Sequence, residues 1–181
     1  YIFYSMFGFQ RVGDMIWSCG DMMCKGFLLG GTAGRTTLNG EGLQHQDGHS
    51  HILASTVPNL RSYDPAFGFE IAALVREGMH QMYELQEDVF YYLTLYNENY
   101  PMPSLVEIAE QTQVDEGEVL QGVINGGYCL YRGSDRTECS VHILASGSIM
   151  QQALLARDAL EDLGVGVCIW SITSSRPIPV P

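Results

Sequence analysis

The run Val89–Leu95 reads VFYYLTL, apolar or β-favouring at nearly every position, and Phe27–Gly31 (FLLGG), Val141–Ala145 (VHILA) and Val165–Ile172 have the same character. A strand with one face in water alternates apolar and polar residues, whereas one that is apolar throughout has to be covered on both faces. Between these runs stand stripes at helical spacing: Ile71, Leu74, Val75, Gly78, Met79 and Met82, then Ile149, Ala153, Ala156, Leu160 and Leu163. Buried strands alternating with amphipathic helices predict an α/β protein built on a parallel sheet flanked by helices. Val141 to Ile172 reads as a β-α-β unit with a right-handed crossover.

Local signals fill in the rest. Tyr1 to Phe7 is aromatic and apolar and reads as a covered strand, followed by a turn and helix cap at Gly13-Asp14. Ile16, Cys19, Gly20 and Met23 continue as a helix that Gly26 stops. Thr32 to Ser50 is rich in Gly, Thr, Asn and His and reads as a long functional loop. Asn59 to Ser62 forms a short strand closed by the Asp64-Pro65 turn, and Asn97 to Pro103 an extended connection. Gly127 to Tyr131 resumes a strand before a polar turn at Arg132–Cys139. This divides the chain into a first unit at 1–104, an acidic linker with some helix at 105–125, and a second unit at 126–181. The chain opens inside an apolar run and closes on the Pro-rich Arg176–Pro181, so it reads as a piece of something longer, incomplete at both ends.

A formal net charge of −12 with no basic patch argues against nucleic acid and anionic membrane as partners. No apolar run is long enough to span a bilayer, and no signal-peptide pattern opens the chain. The five cysteines, Cys19, Cys24, Cys129, Cys139 and Cys168, are odd in number and sit mostly in apolar segments. They read as reduced, buried thiols of a cytoplasmic protein. Cys19 and Cys24 lack CxxC spacing, which favours packing over a redox or metal pair.

The most unusual stretch is Gly40–His51, GEGLQHQDGHSH, with three His, one Asp and one Glu in twelve positions. Three readings stand open: a polar, well hydrogen-bonded loop; a metal site of imidazole and carboxylate ligands; or acid–base and substrate-binding work by a group that titrates near neutrality. The run Gly30–Arg35 fits neither nucleotide-binding glycine pattern, and a tight turn explains it better. Tyr4 and Phe7 lie at the exit of the first strand, where aromatics by default pack in the core, although strand ends of open α/β sheets are also where ligands sit.

The segments YIFYSMFGFQRVGD, FLLGGTAGRTTLNGEGLQHQDGHSH, the SYDPA element and VFYYLTLYNENYPMP follow one another in an order and spacing that resemble the middle, pyrimidine-binding domain of the homodimeric pyruvate dehydrogenase first component. VHILASGSI and Val165–Ile172 resemble the start of its C-terminal domain. The resemblance implies a transketolase-like architecture in which thiamine diphosphate lies between domains of two subunits and carries the decarboxylation of pyruvate. The two-carbon product then passes to the lipoyl domain of a dihydrolipoyl acetyltransferase. It also implies that Phe7 stacks on the aminopyrimidine, that Tyr4 lines the same pocket, and that Glu41 and His45 face the thiazolium and substrate, with His45 as a hydrogen-bond donor. The Mg2+ ligands, and the glutamate that activates the aminopyrimidine, fall outside the chain. Two departures stand out. Gln46 replaces a usual Glu and removes a negative charge beside His45, and Ser174–Pro181 leaves the family pattern.

Two other classes compete. A related thiamine enzyme, a transketolase or another 2-oxo acid dehydrogenase, would carry a different loop in place of NGEGLQHQDGHSH. A non-catalytic fragment would at most dimerise through its acidic surface. Once the His loop has another explanation, a metal-dependent hydrolase has little support.

Overall fold

A computed structural model describes residues 1–34, 45–133 and 140–174. The described chain holds two sheets. The first is four-stranded, in the order β1 (Ile2–Tyr4), β2 (Phe27–Gly31), β4 (Phe90–Thr94), β3 (Leu60–Tyr63), with every neighbouring pair parallel. All of β4 is buried, as its unbroken apolar run requires. Its residues alternate between two cores. Phe90 and Tyr92 join Leu60, Val57, Phe9 and Ile16 beneath α1 (Ser5–Asp21) and α2 (Ser50–Ala54). Tyr91 and Leu93 face the other way, joining Tyr63, Leu74, Met82 and residues of the second sheet. On that side lies α3 (Gly68–Met79), which runs on into a π-helical turn at His80–Glu84.

The first helix starts earlier than Gly13-Asp14. β1 ends at Tyr4, opposite Gly31, where β2 also ends, and a longer β1 would find no partner there. Turning into a helix at Ser5 instead brings Phe9 and Ile16 into the core, with the Phe9 ring edge-on to Tyr92 at 4.7 Å. Gly8 permits the turn, since a Cβ there would overlap the Phe3 ring. The Gly13-Asp14 signal coincides with a kink: Val12 has φ −120° and ψ 16° inside the helix.

The acidic stretch after β4 is two helices, α4 (Leu105–Thr112) and α5 (Glu116–Asn125). Ser104 and Glu107 form a reciprocal capping box at α4, and Asp115 caps α5 through the Gly117 amide. Ile108, Val119 and Val123 are buried in the core shared by both sheets. The second sheet has the order β5 (Tyr128–Arg132), β7 (Val167–Ser171), β6 (Val141–Ala145), with α6 (Met150–Glu161) between β6 and β7. β6 and β7 are parallel, as the β-α-β reading requires. β5 runs antiparallel to β7, so this sheet is mixed.

Glu70 of α3 is buried at the junction of the sheets. Its Oε1 accepts from the Tyr128 hydroxyl of β5 and the Ser171 hydroxyl of β7, each at 2.7 Å. Its Oε2 accepts from the amides of Ala66, at 2.5 Å, and Phe67, at 3.1 Å. Burial pushes this carboxyl above its ordinary range, while the four donated hydrogen bonds oppose the shift.

The cysteines depart from expectation at two points. Cys19, Cys24 and Cys129 are free, and half-buried rather than buried, but Cys168 is disulfide-bonded. An odd count and apolar flanks do not reveal which thiols a fold brings together. No helix among the described residues is long and apolar enough to cross a membrane.

Candidate functional site

The parallel strands of the first sheet all deliver their carboxyl ends to one rim, the position at which open α/β sheets bind ligands. Tyr4 is the last residue of β1, and Phe7 lies in the first turn of α1. His45 returns to the same rim ahead of α2. Its ring stands edge-on to Phe7, with centroids 5.0 Å apart and planes at 86°, and edge-on to Tyr4 at 5.8 Å and 67°. Tyr4 is 53% exposed, a large open aromatic surface, and Phe7 is half-buried with the Arg11 guanidinium 4.8 Å above its ring. Three of the four expected site residues thus meet. Glu41 lies outside the described residues.

The segment that carries His45 is held by its own polar residues. Asp47 accepts from the amides of His49, at 3.2 Å, and Ser50, at 3.0 Å, and from the Ser50 hydroxyl at 2.5 Å, which caps α2. The His49 ring hydrogen-bonds Gln10 of α1 at 2.7 Å. The histidines therefore do different work. His45 packs on the two aromatics, His49 ties the segment to α1, and His51 turns to the sheet, where Nε2 lies 3.2 Å from Thr94 Oγ1 and 3.9 Å from Asp64 Oδ1. Among the described residues no group of three or more His, Cys, Asp and Glu could hold a metal ion.

Asp64 is the residue that the sequence reading passed over. It follows β3, and its carboxylate gathers Thr94 Oγ1 at 2.6 Å, the Tyr96 hydroxyl, and Ser146 Oγ from the second sheet at 2.6 Å. Its backbone also bridges the sheets, accepting from the Gly147 amide at 3.2 Å and donating to the Thr173 carbonyl at 2.7 Å. The only signal was the Asp-Pro pair after a short strand, which reads simply as a turn. Tyr92 lies beneath His51, with ring centroids 5.3 Å apart. Burial above all, with Asp47 and Asp64 adding to it, pushes its phenol up and keeps it neutral, and the Ser50 hydrogen bond opposes this only in part. A separate cleft of about 520 Å³ between α4, β5 and α6 shares none of these residues.

The profile of the pyruvate dehydrogenase E1 component middle domain matches residues 1–103. The chain belongs to the pyruvate dehydrogenase E1 component family. It is 51% identical over 175 residues to the pyruvate dehydrogenase E1 component of Pseudomonas aeruginosa, an alignment covering 96% of this chain and 19% of that protein. The E1 component of Escherichia coli K12 is 49% identical over 176 residues, again with 96% and 19% covered. This E1 family chain thus spans about a fifth of the length of the curated relatives it matches. Among solved structures, a transketolase variant from Pichia stipitis superposes with TM-score 0.72 at 17% identity, covering 96% of this chain and 22% of that one. A transketolase from Campylobacter jejuni gives 0.66 at 20%, covering 94% and 23%. At such identities the likeness establishes a transketolase-like fold for the E1 family chain and nothing further.

Proposed function

We propose that this chain is the pyrimidine-side wall of a pyruvate dehydrogenase first component, which decarboxylates pyruvate on thiamine diphosphate and acetylates the lipoyl group of its acetyltransferase partner. The meeting of Tyr4, Phe7 and His45 at the carboxyl ends of the parallel strands, inside a chain about half identical to E1 components, carries this reading. The parent enzyme works as a homodimer in the cytoplasm, with Mg2+ at the diphosphate end of the cofactor.

The residues fit one end of that cofactor. An exposed Tyr4 beside a half-buried Phe7 offers flat apolar surface for a planar heterocycle. When bound, thiamine diphosphate supplies a nucleophilic carbon for the 2-oxo group and a sink for the electron pair left by carbon dioxide. In this reading Phe7 bears the pyrimidine face and Tyr4 excludes water from one edge. His45 presents a ring N–H to the substrate oxygen on which charge develops, held at that angle by the two aromatics. In the same reading Glu41 faces the substrate.

The test uses a full-length chain containing this segment, supplied with thiamine diphosphate, Mg2+ and a soluble electron acceptor. Pyruvate-dependent release of carbon dioxide is expected. Turnover of ketose phosphates without pyruvate decarboxylation would instead make it a transketolase. The isolated chain should bind thiamine diphosphate weakly, and micromolar affinity by calorimetry would mean that the pocket is more self-contained than proposed.

A further inference from the structure

Cys19 and Cys24 stand five residues apart, a spacing that fits no metal or redox motif, but the end of α1 folds so as to join them. Met23 adopts the left-handed conformation at φ 55°. The Cys24 amide then donates to the Cys19 carbonyl at 2.9 Å, and the Met23 amide to the Gly20 carbonyl at 3.1 Å. These two bonds are the 6→1 and 5→2 pair of a Schellman motif, in which the residue after the left-handed position lays its side chain on the residue five earlier. Here both of those side chains are thiols. The two thiols are near enough to interact electrostatically, and both are half-buried rather than sealed in the core. A disulfide needs Cα atoms about 4.4–6.8 Å apart, a range open to residues whose backbones already share a hydrogen bond.

We propose that Cys19 and Cys24 are a peroxide-sensitive dithiol that closes into a reversible disulfide at the C-terminal end of α1. The Cys24 thiolate attacks one oxygen of hydrogen peroxide and breaks the O–O bond. This leaves Cys24 as a sulfenic acid and releases hydroxide, which takes up the thiol proton as water. Cys19 sulfur then attacks the Cys24 sulfur, the S–O bond breaks, and the second oxygen leaves as water with the Cys19 proton. Two thiols and one peroxide give one disulfide and two waters, with two electrons passing from sulfur to oxygen. The order follows from surroundings: burial first, then the neighbouring thiol, push Cys19 up, which makes it a poor first nucleophile toward peroxide and leaves it to attack the sulfenic acid afterwards. A dithiol reductant reverses the change. Cys129, whose sulfur donates to the Tyr131 carbonyl at 3.4 Å on β5, is a free thiol elsewhere in the fold and serves as internal control.

The experiment treats the 181-residue chain with graded hydrogen peroxide, blocks remaining thiols with iodoacetamide, and maps tryptic peptides by mass spectrometry. Arg11 and Lys25 bound a peptide holding both cysteines and no internal cleavage site. That peptide should lose both alkylation sites together and two hydrogens in mass, and dithiothreitol should restore both sites while Cys129 stays alkylatable throughout. In Cys19→Ser, dimedone should trap a sulfenic acid on Cys24, because no partner remains to resolve it. Independent alkylation of the two thiols in oxidised wild type, direct passage to sulfinic acid, or crosslinking of either to Cys129 would each overturn the proposal.

Discussion

Ser146 Oγ donates a 2.6 Å hydrogen bond to Asp64 Oδ2 across 82 positions of chain. The contact ties the loop after β6 to the end of β3, and Thr94 and Tyr96 hold the other carboxylate oxygen. Asp64 is therefore the knot between the two sheets on the side of the candidate site. Replacing it by Asn removes the negative charge that three hydroxyl hydrogen bonds converge on, so about 2–3 kcal/mol of stability should be lost. Ser146→Ala removes one donor and should cost about 1 kcal/mol. Urea unfolding of both variants checks the ranking, and equal losses would mean that Asp64 is no hub.

The role proposed for His45 lies in chemistry rather than in folding. In a full-length enzyme containing this segment, His45→Ala and His45→Gln should lower turnover on the order of 10²-fold, the effect of one preorganised donor. Cofactor affinity should change by no more than a few-fold, since the aromatic surface proposed for the cofactor belongs to Phe7 and Tyr4, which both variants keep. Steady-state kinetics with parallel cofactor titration separate the effects. Near-normal turnover in both variants would remove His45 from the mechanism.

Glu70 should make stability depend on pH. Its folded-state pKa is raised above the ordinary 4.5, so the native state holds the extra proton between the two values. Its contribution is then fully present below about 4.5 and declines as pH rises through the folded value. Glu70→Gln imitates the protonated form, with the amide oxygen accepting from Ala66 and Phe67 and the NH2 group donating to the Tyr128 and Ser171 hydroxyls once these turn. Thermal melts should show the wild type losing ground to Glu70→Gln as pH rises from 4 to 8. A constant difference would show that Glu70 does not titrate in this range.

Gly122 lies in α5 at a close approach. A Cβ there would fall 2.7 Å from Tyr128 Cβ and 3.1 Å from the Gly127 carbonyl oxygen. Neither atom is the end of a flexible side chain. Ala favours a helix over Gly by about 1 kcal/mol, yet Gly122→Ala should destabilise by about 1–3 kcal/mol through overpacking. Gly13 meets nothing within 4 Å, so Gly13→Ala should be neutral or stabilising by the same denaturation assay.

Patterning alone made much of this protein legible. The apolar runs at 27–31 and 89–95 are parallel strands, fully buried in β4 and mostly half-buried in β2, and the stripes after Ile71 and Ile149 lie on amphipathic helices, because burial follows local periodicity. The motif order around Tyr4, Phe7 and His45 likewise pointed to one family and one rim of the sheet. What remained was decided by partners far away in sequence. Tyr1–Phe7 reads as a strand covered on both faces, yet the end of β2 at Gly31 stops the strand at Tyr4, and at this edge of the sheet Ile2 and Tyr4 are exposed. Asp64, Thr94 and Ser146 are unremarkable singly and become a knot because the sheets dock there. Cys19 and Cys24 lack a motif, yet a left-handed residue between them closes the chain on itself. Periodicity records which face of an element is apolar. It carries no record of where that element stops, or of which polar groups meet across a fold, because those depend on backbone hydrogen bonds and side chains that are neighbours only in space.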